Sequence, residues 1–159
     1  MRTIYRVLAY LIAALVAVQA AVMALGVFGL FAWIQGGSVL DKAAMESSTT
    51  DFAGAGGFEL HGTFGMSVIP VVGLVLLVVS FFTKMTGATR FALLVLACIV
   101  GQALLGLFAH EIYWLGALHG VFAFILLACA VFAGRRMVAS RAASATIVME
   151  PSQATADIS

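Results

Sequence analysis

Charged side chains are scarce in this 159-residue sequence. Lys and Arg number 8 and Asp and Glu 7, together 9% of the chain, against about a quarter in an average soluble domain. With 64% hydrophobic residues beside them, an ordinary water-soluble domain is excluded, and no basic surface remains for nucleic acid. Two cysteines, Cys98 and Cys129, show no CxxC spacing, so a disulfide framework and a thiolate zinc site are excluded as well. The three histidines form no HxxxH or HxxE pattern. Phosphate-cradling glycine loops, nucleotide fingerprints and a nucleophile with an evident base are all missing.

What the chain has instead is four apolar stretches, at residues 4–34, 61–82, 91–109 and 114–134. Each suffices for the roughly 20 helical residues that cross a bilayer core. The fold expected is an all-α, integral membrane four-helix up-down bundle over residues 1–136. An outer loop spans 35–60, and a disordered cytoplasmic tail is expected over 137–159, where Ala, Ser and Thr dominate. Arg2, Arg6, Lys84, Arg90, Arg135, Arg136 and Arg141 fall on one side of such a bundle and Lys42 alone on the other. The positive-inside rule then puts both termini in the cytoplasm of a multi-pass cell-membrane protein. Phe31, Trp33, Tyr113 and Trp114 supply aromatic anchors at the opposite interface. The first apolar run is too long for a signal-peptide core and reads as a retained helix. In the outer loop, Ser38-Val39-Leu40-Asp41 predicts a capped short helix over 39–45, and Gly54, Gly56 and Gly57 predict a flexible approach to span two.

Polar residues inside the apolar stretches are few. Gln19 and Gln102 are expected to point inward, as interhelical glue bonding each other or a backbone carbonyl. Pro70 is expected to bend span two. Cys98 and Cys129 read as apolar filler. More informative is a phrase that occurs twice, Leu60-His61-Gly62-Thr63-Phe64-Gly65 and Leu118-His119-Gly120-Val121-Phe122-Ala123. A histidine in a membrane span is costly, so the repeat points to a paired task. The adjoining glycines, Gly62 and Gly120, remove side chains where a flat group would approach. Spans two and four are parallel and can stand diagonally, roughly 11–14 Å apart, which accommodates two imidazoles with an iron between them. His61 and His119 are therefore the candidate metal ligands, axial to a haem b. Counted from the terminal-side charges, His61 stands further out than His119, and the Pro70 bend and helix tilt are expected to absorb the offset. His110, beside Glu111 and nearer water, is the poorer candidate.

Span two opening on His61-Gly62-Thr63-Phe64-Gly65, span three carrying Gln102-Ala103-Leu104-Leu105-Gly106 and span four carrying His119 resemble one half of a haem A synthase. A family of small bacterial four-helix membrane proteins of unknown function is similar in length, in Gln19 and in the two histidines. The resemblance implies a haem-holding scaffold, with His61 and His119 as axial ligands and Gln102 lining the pocket. Gly62 stands where the synthase usually has Arg, Glu59 is one position off its acidic residue, the outer loop has no Cys, and there is no second bundle. Two readings follow, neither making the chain an enzyme on its own. One is a haem b protein serving electron transfer or redox sensing near the outer face. The other is a cofactor-free scaffold or small accessory subunit of a membrane complex, a respiratory one included, whose partners are lipid and other membrane proteins. A proton relay through Glu59, His61, His110, Glu111 and His119 lacks a polar exit on the inner half.

Overall fold

The structure, a computed structural model, describes residues 1–47 and 51–154, with side chains of the last helix through Arg136. Among the described residues there is no strand. Helix α1 runs Arg2–Gln35 and a short α2 runs Lys42–Glu46. Span two is composite: α3 covers Gly56–Thr63, a π-helical segment covers Phe64–Val68, and α4 covers Ile69–Ser80. Helix α5 runs Ala88–Phe108 and α6 runs Leu115–Ala154. Four stretches, Arg2–Gln35, Gly56–Ser80, Ala88–Phe108 and Leu115–Arg136, are long and apolar enough to cross a membrane.

Packing closes these four into a square. Helix α1 packs on span two and on α6, and α5 packs on α4 and on α6, leaving spans two and four across a diagonal. The tight core lies toward the terminal end, where Tyr5, Ile12, Leu76, Val95, Ile99 and Leu126 are almost wholly buried. Cys98 and Cys129 are free thiols packed in or against this core. The same end is tied by polar contacts that leave little room for slippage. Tyr5 donates its hydroxyl to the Ala88 carbonyl at 3.1 Å, and Arg2 Nε donates to the Thr83 carbonyl at 3.4 Å. The Arg136 guanidinium lies over both Phe91 and Phe132, 5.2 and 5.1 Å from their ring centroids. Outward faces carry exposed apolar residues such as Leu25, Phe28, Val71 and Phe124.

Three expectations need correction. Helix α2 starts at Lys42, because Asp41 and not Ser38 supplies the cap: its carboxylate accepts from Ala44 N at 2.8 Å. The Gly54–Gly57 stretch is a docking surface rather than a loose approach. A Cβ at Gly57 would fall on the Val22 carbonyl oxygen, and one at Gly29 on that of Ala53, so only glycine lets these backbones touch. Span two thereby begins at Gly56, five residues before the expected start at 61. Finally, α6 continues through 137–154, where composition predicted a disordered tail. Ala139, Arg141, Ala142, Ala143 and Ala145 are strong helix formers that extend the preceding helix. The rest of that tail, 155–159, lies outside the described residues.

Candidate cofactor site at the histidine end

Away from the packed end, the bundle opens. Helix α3 leans chiefly on α1, so the histidine-bearing half of span two stands away from α5 and α6. Between them lies a cavity of about 570 Å³, within the roughly 300–1,000 Å³ of ligand pockets. Its wall is mostly apolar or bare backbone, including Gly62, Gly65, Ala103, Gly106 and Gly120. The polar groups on it are His61, His119 and, at the exposed rim, His110.

His61 and His119 face each other across this space, ring centroids 5.8 Å apart and planes at 68°. Each is oriented by the helix beside it. His61 Nδ1 lies 3.2 Å from the Gln19 main-chain oxygen, and His119 Nδ1 lies 3.0 Å from that of Gln102. A carbonyl only accepts, so both rings carry a proton on Nδ1. Histidines that bind metals are commonly oriented in this way.

Helix phase explains how one short phrase, used twice, produces two facing rings. In α6 the buried Leu126, Ala130 and Ala133 follow His119 by 7, 11 and 14 residues. At about 100° per residue they lie within roughly 40° of it on one face. In span two the buried Ile69, Gly73 and Leu76 follow His61 by 8, 12 and 15 residues, one more in every case. An unbroken α-helix would put His61 roughly 60–120° off that stripe. The π segment absorbs the extra residue and restores the phase. Ile69 N–H bonds Phe64 O, five residues back, and the Ser67 hydroxyl donates to the Thr63 carbonyl. Pro70 follows at once, in the first turn of α4, where its missing N–H and its ring are tolerated. The offset in depth was expected to fall to a proline bend and tilt; the π segment carries part of it.

Of the expected site residues, His61, Gly62, His119 and Gly120 line the cavity, whereas Gln102, expected there too, is not among its lining residues. Gly62 and Gly120 flank the rings, and a Cβ on either would meet nothing within 4 Å. Gln102 touches His119 directly: its Nε2 lies 3.2 Å from His119 Nε2 and 3.0 Å from the His119 main-chain oxygen. The two glutamines do not bond each other, and the buried Oε1 atoms of Gln19 and Gln102 have no partner. Gly106 went unnoticed as a site residue. One turn beyond Gln102, it makes room for the edge of the His119 ring, and a Cβ there would lie 2.9 Å from Cε1 and 3.0 Å from Nδ1. Its signal was the four-residue spacing Gln102–Gly106 on one helix face.

The two rings meet edge to face, with His119 Nε2 directed at the Gln102 side chain. The bare glycine walls and the cavity volume fit a large flat ligand. No cluster of three or more His, Cys, Asp or Glu exists among the described residues. Comparison with protein-family models, with curated proteins and with solved structures finds no match to this chain.

Proposed function

We propose that this chain is a multi-pass membrane protein that holds a haem b between His61 and His119 and serves electron transfer or redox sensing. The observation that carries the reading is the pair of imidazoles facing each other across the cavity, each with Nδ1 on a backbone carbonyl. Gly62 and Gly120 leave space on either side of the rings. A haem held there by His61 and His119 would supply a one-electron couple. The resemblance to half of a haem A synthase points the same way through His61, Gln102 and His119. We further propose cytoplasmic termini, supported by Arg2, Lys84, Arg90, Arg135 and Arg136 gathering at one end. The haem would then sit in the outer part of the membrane.

One observation favours a second reading. Gln102 and His119 satisfy each other through three contacts, as polar glue in a cofactor-free scaffold or accessory subunit would. A reduced-minus-oxidised spectrum of the purified protein, expressed with ample haem supply, separates the two. Low-spin haem b bands that vanish in His61→Ala support the first. Stoichiometric protein without such bands refutes it and leaves the scaffold.

A further inference from the structure

The two imidazoles are held differently. His61 Nε2 has no hydrogen-bond partner among the described residues. His119 Nε2 is taken by the Gln102 side chain at 3.2 Å. From this asymmetry we propose that Gln102 is a latch on the second imidazole. Its amide occupies the lone pair that a metal bond would use, so His61 would be free to hold a haem first, and His119 would do so only once the Gln102 amide lets go. The inference rests on the haem reading above and deepens it.

Hydrogen-bond chemistry leaves one consistent arrangement of protons. The Gln102 main-chain oxygen accepts from His119 Nδ1, so the ring proton is on Nδ1. The amide nitrogen of Gln102 only donates, so His119 Nε2 must accept and the ring is neutral. The second amide hydrogen goes to the His119 main-chain oxygen at 3.0 Å. Flipping the amide would set Oε1 against that carbonyl, acceptor against acceptor, so the assignment holds. The cost of this arrangement is visible: Gln102 Oε1 is buried without a partner. Releasing His119 Nε2 therefore gives up one hydrogen bond on an amide that is already only partly satisfied. The main-chain contact to Nδ1 need not change, so the ring keeps its orientation as the latch opens. Gly106 permits this by leaving the Nδ1–Cε1 edge of the ring room against α5. Gln19, the counterpart on α1, contributes only its main-chain oxygen to His61 and acts as the internal control.

The test uses the purified full chain in detergent, titrated with ferric haem. Gln102→Leu should bind about fivefold more tightly, the factor of one net hydrogen bond. It should also reach the low-spin spectrum in one step, where the unmutated protein shows a slower second step. Gln19→Leu should match the unmutated protein. Equal affinity and a single step in both the unmutated protein and Gln102→Leu would overturn the latch and leave the haem reading standing. Absence of haem bands in all variants would overturn the haem reading and with it the latch. A nitrogen NMR measurement of the His119 ring needs no haem. A proton on Nε2 in the unmutated protein overturns the latch, and an Nε2 signal that moves in Gln102→Leu supports it. Should the Leu variant fail to fold, Gln102→Met keeps the side-chain length and the same expected shifts.

Discussion

Deleting one residue from a membrane-spanning helix normally rotates everything beyond it by about 100°. The phase relation between the two histidine helices predicts one place where this does not happen. Span two carries one residue more than span four between its histidine and the buried stripe, and the π segment Phe64–Val68 stores it. Removing Ser67 should convert that segment to a regular α-helix with Ile69, Gly73 and Leu76 still in line with His61. Pro70→Ala is included in both variants compared, since proline in an unbroken helix interior costs roughly 3 kcal/mol. The matched deletion of Ala123 in α6 has no stored residue to draw on. It should turn His119 by about 100° away from α5 and break its three contacts with Gln102. At about 0.5–1.5 kcal/mol net per bond, the loss is roughly 2–4 kcal/mol. The Ser67 deletion keeps the His61 contact to Gln19 and should stay within about 1 kcal/mol of its parent. Reversible unfolding in mixed detergent micelles, followed by circular dichroism, reads both. Equal destabilisation by the two deletions would refute the stored-residue account.

Two glycines near His119 should respond oppositely to alanine. Gly106→Ala drives a methyl into the ring and should lower stability by about 1–3 kcal/mol, whereas Gly120→Ala meets open space and should be neutral on the same unfolding assay. Gly62→Leu or Gly120→Leu should lower haem occupancy, read as the ratio of haem absorbance to protein, while membrane insertion by fractionation is unchanged. Ala at His61 or His119 should abolish the low-spin spectrum, and His110→Ala at the exposed rim should leave it nearly unchanged. In a background with Cys98 and Cys129 replaced by Ser, a cysteine at Ser38 should react with an impermeant maleimide from outside intact cells and one at Thr86 should not. The reverse pattern would invert the topology.

The four helices were legible because length and apolarity are properties of a segment alone. Facing histidines were legible because a costly residue repeated in one local phrase restricts where its side chain can go. The π segment was not, since a count of apolar residues ignores phase. It becomes visible only when the spacing from His61 to Ile69, Gly73 and Leu76 is compared with that from His119 to Leu126, Ala130 and Ala133. Gly54 and Gly57 were misread for a related reason: a glycine that frees a chain and one that admits a neighbouring carbonyl look alike until the neighbour is in place. The Gln102 contact lay between these cases. An inward-pointing amide was expected, but its partner depended on the register of α5 against α6, which no local pattern encodes.

The packed terminal end has an electrical consequence. Tyr5, Ile12, Leu76, Ile99 and Leu126 fill the bundle below the histidines, and the polar groups of Tyr5, Ser80 and Thr83 at that end are engaged with nearby main-chain carbonyls. A unit charge carried across a whole membrane exchanges about 2.3 kcal/mol per 100 mV with the field. A redox centre that is reached and left through one leaflet samples only a fraction of that drop. If the proposed haem is held between His61 and His119, its midpoint potential should therefore hold nearly constant as a membrane is energised or collapsed.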